Sequence, residues 1–286
     1  NPLAPKAPHF AAKAKRVIFM FMQGGPSHLD TFDYKPELVK AQEAKTAKYM
    51  GTAFDFKPRG KSGLMISDAF PELSKHADDL CILNGMQTRT NAHQMATVAL
   101  HIGSETFVRP SMGAWIVYGL GSEAEDLPGF VTINPVADAG GAMNYGSAFL
   151  PASFQGTRLS TTGGGVPDLS NGRLSDAQQR KQIEFIQKAN RRLLAGDPGN
   201  PELEGIIQSY ELAYKMQTSV PDVLDLDQEP AHIRELYGLD NGDTERFGTQ
   251  CLMARRLAEK GVRFIQLTST GWDHHQQLRE GITRQA

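Results

Sequence analysis

Short runs of consecutive apolar residues alternate with helix-like segments along this chain. The runs occupy positions 16–22, 80–84, 130–134 and 262–267. A strand inside a parallel sheet is covered on both faces, so its sequence is apolar at consecutive positions rather than at alternate ones. Strands of this kind, separated by helices, predict an α/β fold with a mainly parallel sheet, flanked by helices and joined by right-handed crossovers.

Two longer segments with helical periodicity predict a helical hairpin. They cover 176–195 and 201–218. Ser175 is the predicted N-cap of the first helix, with Gln178 completing a capping box, and Pro221 is predicted to end the second helix. We expect this hairpin, an insertion at about 175–220, to pack on or beside the sheet, and a lid over the site is the alternative.

The rest of the chain divides into short helices and loops. Helices are predicted at 36–48, 67–77, 91–102, 110–120 and 247–260, and near His232. We expect residues 51–66 to form an irregular insertion and residues 137–173 to form long loops, because the latter are rich in Gly, Ser and Thr.

Composition and charge exclude several classes of partner. The chain has 286 residues, of which 40% are hydrophobic, so it can bury the core of one large domain or two small ones. The net charge of −2 creates no strong field toward nucleic acid or an anionic membrane. The longest apolar run, Val17 to Met22, is too short to span a bilayer. Cys81 and Cys251 are predicted to be free, buried thiols.

The strongest chemical signal follows the last predicted strand, where the chain reads Trp272-Asp273-His274-His275. Ligands of parallel sheets bind at the carboxyl ends of the strands, and carboxylates and imidazoles bind divalent metals there. Asp273 and His275 are the favoured ligand pair, because residues i and i+2 of an extended chain point to the same side. A solvated polar loop is the alternative interpretation.

A second candidate group follows the first strand, in the segment 24–33, Gly-Gly-Pro-Ser-His-Leu-Asp-Thr-Phe-Asp. The glycines allow close backbone approach. Asp30 is a candidate metal ligand, and His28 is a candidate contact for a substrate anion. An Asx-type turn, in which Asp30 only caps the next segment, is the alternative.

A third group follows the predicted second strand. A hydroxyl at a helix N-terminus is well placed as a nucleophile, which makes Thr88 and Thr90 candidates. Arg89 is suited to bidentate binding of phosphate or sulfate. The alternative is that Thr90 or Asn91 only caps the helix. Phosphate-binding glycine loops, GxSxG and HExxH are absent from the sequence.

Several longer segments resemble the family called domain of unknown function 1501. They lie at 13–33, 109–123, 127–130, 216–221 and 255–267, and the resemblance extends over nearly the whole chain. This family is grouped with sulfatase-like and alkaline-phosphatase-like hydrolases. The resemblance therefore implies a three-layer αβα fold of the alkaline phosphatase type, with residues 1–286 in a single domain.

The resemblance also implies roles for particular residues. By position, Asp30 matches the first metal ligand, and Asp273 and His275 match the late Asp/His pair. His93 matches a histidine typical of the family and is expected as a further ligand, and Thr88 or Thr90 lies near the nucleophile. The implied cofactor is a divalent metal: zinc, calcium or magnesium. Two departures are visible. Ala92 stands where family members often have Asn, and the Cys-x-Pro-x-Arg motif that yields formylglycine in sulfatases is absent.

Family members usually carry a twin-arginine export signal ahead of the matching region, and they continue beyond it. We therefore expect a periplasmic or secreted protein whose C-terminal part is missing from this chain. The expected function is hydrolysis of small anionic phosphate or sulfate esters, with no nucleic-acid partner. The alternative is a non-catalytic exported binding or surface protein on the same fold. The choice between phosphate and sulfate, and the oligomeric state, remain open.

Overall fold

A computed structural model describes residues 2–46, 48, 50–161 and 173–286. It divides the chain into two compact units, which are residues up to Phe21 with Thr90–Thr268, and Met22–Arg89 with Ser269–Ala286. The single domain expected over 1–286 stays a prediction, because two compact units of one chain can belong to one folding domain.

The strands are β1 (Val17–Met22), β2 (Phe56–Arg59), β3 (Leu64–Ser67), β4 (Phe130–Ile133), β5 (Thr157–Leu159) and β6 (Phe264–Ser269). The α-helices are α1 (His28–Thr31), α2 (Pro36–Glu43), α3 (His93–Ile102), α4 (Met112–Leu120), α5 (Asp176–Gly196), α6 (Pro201–Leu224), α7 (Ala231–Leu236), α8 (Glu245–Glu259) and α9 (Leu278–Gln285). None of these described helices combines the length and the apolar character that a bilayer crossing requires.

The first unit is built around a four-stranded sheet in the order β1-β6-β4-β5. β4 pairs in parallel with both β5 and β6. The Val17 N–H donates to the Arg263 carbonyl at 2.9 Å, and six residues later the Gln23 N–H donates to the Ser269 carbonyl at 2.8 Å. Equal steps in the same direction make β1 and β6 parallel as well. The predicted α/β class with a parallel sheet is therefore confirmed.

Helices cover both faces of this sheet. On one face, Val131 and Ile265 pack with Val220 of α6 and Leu257 of α8. On the other face, Phe130 and Phe264 of the same strands pack with Ala114 and Val117 of α4. Successive strand residues point to opposite faces, so neighbouring positions serve different helix layers. This explains why β4 and β6 are apolar at consecutive positions.

The predicted strand at 80–84 is wrong. Leu80 has extended backbone angles (φ −94°, ψ 141°), but no described strand pairs with this segment, and Leu83 is 68% exposed. The apolar residues at 80–83 lack the hydrogen-bonded neighbour, among the described strands, that a strand requires. The fourth strand is β5, within the stretch expected to form long loops. Its three residues, Thr-Arg-Leu, are too few to give a periodic signal.

The sequence also predicts that β1 is buried on both faces, whereas β1 is an edge strand. Among the described residues its only sheet neighbour is β6. Phe21 is buried, but Ile18 is 43% exposed and Met20 is 51% exposed. The apolar pattern of an interior strand therefore occurs on an edge strand that has one partly exposed face.

The helical hairpin of α5 and α6 is confirmed, including the capping box between Ser175 and Gln178. Gln187 of α5 donates to the Ile207 carbonyl of α6 at 2.6 Å. The prediction that Pro221 ends the second helix is wrong, because α6 continues to Leu224. Val220 and Val223 on either side of the proline are buried in the core beside the sheet, and that burial opposes the helix-breaking effect of proline.

The second unit has its own core. β2 and β3 pair as an antiparallel hairpin, where the sequence predicts an irregular insertion. Ile66, Phe70, Trp272 and Ile282 are buried together, so residues from both parts of this unit share one cluster. The helix predicted at about 67–77 is a 3₁₀-helix at Leu73–Asp79.

The two cysteines differ in their surroundings. Cys81 is exposed, so the prediction of a buried thiol is wrong at that position, which follows from the absence of the strand at 80–84. Cys251 lies on α8, and burial raises the pKa of its thiol to about 11. Both cysteines are free.

Candidate functional site

The loop that follows β6 is anchored by Trp272. This side chain is only 3% exposed, and its indole Nε1 donates to Ser269 Oγ at 2.9 Å. Its ring stacks on Phe70 with a centroid distance of 6.4 Å. Both the polar and the apolar atoms of Trp272 are held by contacts, and this fixes the backbone position at which the next residues begin.

The loop that follows β1 lies against this anchor. The Trp272 N–H donates to the Gln23 carbonyl at 3.1 Å. Gly24 has φ +112°, and a Cβ there would lie 2.6 Å from the backbone nitrogen of Asp273. Only glycine fits such an approach at positive φ. The sequence-based expectation of close backbone approach therefore holds at Gly24, whereas a Cβ on Gly25 would meet nothing within 4 Å.

Asp273 and His275 are brought together as predicted from their spacing. Asp273 Oδ1 lies 3.0 Å from His275 Nε2, and the two side chains are 41% and 84% exposed. Two ligand atoms on one zinc ion, with bonds of about 2.1 Å at 90–110°, lie roughly 3.0–3.4 Å apart. The two atoms are at ion-pair distance, a separation that two ligands of one divalent ion also have, and both side chains are open to solvent.

Asp30 has a different environment from the one the sequence suggests. It is 5% exposed, its Oδ2 accepts a hydrogen bond from Ser27 Oγ at 2.5 Å, and its Oδ1 accepts one from the Ala53 N–H at 2.6 Å. Among the described residues, no set of three potential ligands that includes Asp30 has its ligand atoms within 4.8 Å of one another. These contacts support the turn-stabilising alternative, and a role as metal ligand stays a prediction.

Asp33 is a buried carboxylate that sequence reasoning passed over. It is 8% exposed, and Oδ1 accepts hydrogen bonds from Lys35 Nζ at 2.9 Å and from Asn84 Nδ2 at 3.1 Å. The exposed His28 ring lies 3.9 Å from Asp33 Oδ2. The contact between Asp33 and Asn84 joins residues that are 51 positions apart, so local spacing gives no signal for it.

The candidate nucleophiles lie in the segment without a strand. Thr88 and Arg89 are exposed in the second unit, and Thr90 begins the next stretch of the first unit. Thr90 Oγ1 accepts a hydrogen bond from the Ala92 N–H at 3.1 Å. α3 begins at His93 with Ala92 at its N-cap, without a side-chain cap, so neither Thr90 nor Asn91 has the capping role considered above.

Comparison with known proteins gives one clear result. The family model described as "Protein of unknown function (DUF1501)" matches residues 14–286. The chain belongs to this family. No curated protein and no solved structure matches it.

Within this DUF1501 chain, the lowered carboxyl pKa values of the second unit belong to structural contacts. The hydrogen bond from Lys57 lowers the pKa of Asp68, with Arg59 contributing further. Backbone N–H groups of Lys61 and Ser62 lower the pKa of Asp78. These contacts lie on or next to the β2–β3 hairpin rather than in the loop of Asp273 and His275.

Proposed function

We propose that this DUF1501 chain is a metal-dependent hydrolase of phosphate or sulfate esters, acting outside the cytoplasm on an alkaline-phosphatase-like fold. The observation that carries the proposal is the 3.0 Å separation of Asp273 Oδ1 and His275 Nε2, on a loop at the carboxyl end of a parallel strand. The sulfatase-like resemblance of the sequence supports the reaction class, and the parallel sheet agrees with it.

The ligand types narrow the choice of metal. A carboxylate oxygen with an imidazole nitrogen suits zinc better than calcium or magnesium, which prefer oxygen ligands. The sequence predicts His93 and Asp30 as further ligands. A bound ion would polarise the ester oxygen and lower the pKa of a bound water or of a threonine hydroxyl.

Side chains of the chain itself would bind the substrate and supply the nucleophile. Arg89, exposed in the second unit, offers a fork of donors to a tetrahedral anion. Thr88 and Thr90 remain the candidate nucleophiles.

A non-catalytic binding protein is the second candidate, and one observation favours it. The loop with Thr88 and Arg89 follows no strand of the described structure, so no strand pairing fixes the position of these candidate residues. A metal site without a positioned nucleophile would bind an anion without cleaving it.

Hydrolysis of p-nitrophenyl phosphate and p-nitrophenyl sulfate by the chelator-treated protein, before and after addition of Zn²⁺, Ca²⁺ or Mg²⁺, tests the proposal. We expect metal-dependent hydrolysis of one ester, and Asp273→Asn should lower kcat/KM at least about 100-fold because it removes a ligand. The matched control is His76→Ala, which removes the histidine of another exposed His–Asp pair in the same unit, His76 with Asp79 at 3.9 Å. Metal binding without hydrolysis of either ester would favour the second candidate.

A further inference from the structure

Gln285, near the end of α9, holds the backbone of the loop that carries Asp273 and His275. Its Nε2 donates to the Gly271 carbonyl at 2.8 Å and to the Thr270 carbonyl at 3.2 Å. A Cβ on Gly271, which has φ +92°, would lie 2.5 Å from that nitrogen. One side-chain amide therefore ties two consecutive peptide units directly before Trp272.

Gly281, one turn earlier in α9, contacts the same loop at His274, the residue that follows Asp273. A Cβ on Gly281 would lie 2.1 Å from Cδ2 and 2.5 Å from Nε2 of His274. The His274 ring therefore packs on the bare backbone of the helix. Because His274 stands between the two proposed ligands, its position helps to fix the direction in which each of them points.

α9 is itself held in the second unit by buried contacts. Ile282 is fully buried in the cluster that contains Trp272 and Phe70. Arg279 donates to the Ala53 carbonyl, and its guanidinium lies 5.1 Å from the centre of the Phe54 ring. The helix thus contacts the loop through Gln285, Gly281 and Ile282, and it contacts the rest of the unit through Arg279.

We propose that α9 positions the Asp273–His275 pair, through Gln285 and Gly281, so that docking of α9 and binding of a divalent ion stabilise each other. This inference rests on the proposed metal site. Gln285 and Gly281 are positioning residues, since neither is proposed to touch the ion. Thermodynamic linkage makes the effect reciprocal, so whatever α9 adds to ion affinity, the ion adds to the stability of the docked helix.

The two contacts can be removed separately. Gln285→Met keeps the length of the side chain but removes the donor to both carbonyls, and Gly281→Ala pushes the His274 ring out of its place. Thr283→Ala is the matched control, because Thr283 is exposed on the same helix. The probe is Zn²⁺ alone, measured on the full chain by competition with a chromophoric chelator.

We expect Gln285→Met and Gly281→Ala to raise the Kd for Zn²⁺ by about 10- to 100-fold, the usual range for groups that orient metal ligands. Thr283→Ala should leave the Kd unchanged. In the unmodified chain, Zn²⁺ should also slow hydrogen exchange of the amides of α9, a readout that needs no variant to fold.

The outcomes separate the two proposals. If the unmodified chain does not bind Zn²⁺, the proposed metal site fails. If the chain binds Zn²⁺ with the same Kd in all variants, and exchange in α9 is unaffected by the ion, the coupling to α9 is overturned while the metal site stands.

Discussion

At the scale of single residues, the loop that carries Asp273 and His275 depends on a glycine of the loop after β1, because a residue without a side chain allows the two backbones to approach. Gly24 and Gly25 both have positive φ, but only Gly24 faces another backbone segment, at Asp273. The two positions therefore separate the cost of the backbone conformation from the cost of the close approach.

Gly24→Ala should lower the free energy of unfolding by roughly 3 kcal/mol, because strain at positive φ adds to a clash with backbone that cannot rotate away. Gly25→Ala should cost only about 1 kcal/mol, since its Cβ would enter open space. Urea denaturation of both variants measures the difference. Equal losses in the two variants would show that the approach to Asp273 contributes nothing to stability.

Residue chemistry was predictable from the sequence where it is local. The spacing of Asp273 and His275 predicts that both side chains lie on one side of the chain, because residues i and i+2 of an extended segment do so, and the two side chains do approach each other. Gln285 could not be predicted in the same way, because it reaches carbonyls 14 and 15 residues away that depend on the docking of α9. For Asp30 the sequence leaves two roles open, because carboxylates that stabilise turns and carboxylates that bind metals look alike in sequence.

At the scale of elements, α3 meets β1 through a buried histidine. His101 is 3% exposed, and its ring lies edge-on to Phe21 at 4.8 Å and to Phe19 at 5.6 Å. Nδ1 lies 2.7 Å from the Thr97 carbonyl, and Nε2 is buried with no hydrogen-bond partner among the described residues. Burial lowers the pKa of His101 below its ordinary value of 6.5, despite the opposing effect of the Thr97 carbonyl.

The sign of the pH effect follows from this shift. The unfolded chain binds a proton at His101 more readily than the folded chain. The contribution of His101 to the free energy of unfolding is therefore fully present above about pH 6.5 and is lost as the pH falls below that value. The slope that this residue contributes should reach at most about 1.4 kcal/mol per pH unit. Unfolding free energies measured between pH 7.5 and about pH 5 should therefore fall less steeply in His101→Gln than in the unmodified chain.

The control for this measurement is His76→Ala, because the His76 side chain is 71% exposed. It removes an exposed imidazole in place of a buried one. If His101→Gln leaves the dependence of the unfolding free energy on pH unchanged, the packing of His101 of α3 against β1 does not resist protonation.

Elements were predictable where packing and periodicity agree. β4, β6 and α8 have apolar positions that match their buried faces, and all three were anticipated. The segment at 80–84 has the composition of a strand but no pairing partner in the described structure, and pairing depends on residues far away in sequence. Tertiary burial likewise overrides the local signal of Pro221 in α6.

At the scale of the whole molecule, family membership and the parallel sheet are established, and the chemistry is a proposal. The sequence predicts a site at the carboxyl ends of β1 and β6, and the loops after these two strands are held together by Gly24 and Trp272. The exposed edge of β1 could not be predicted, because the strand has the sequence of an interior one.

The central claim is that Asp273 and His275 bind one divalent ion, and anomalous scattering tests it most directly. Crystals soaked in Zn²⁺, with data collected at the zinc absorption edge, should show a peak about 2.1 Å from a carboxylate oxygen of Asp273 and from Nε2 of His275. Crystals of Asp273→Asn treated identically should lack it. A map with no peak between these two side chains, or with zinc only elsewhere on the chain, would contradict the account.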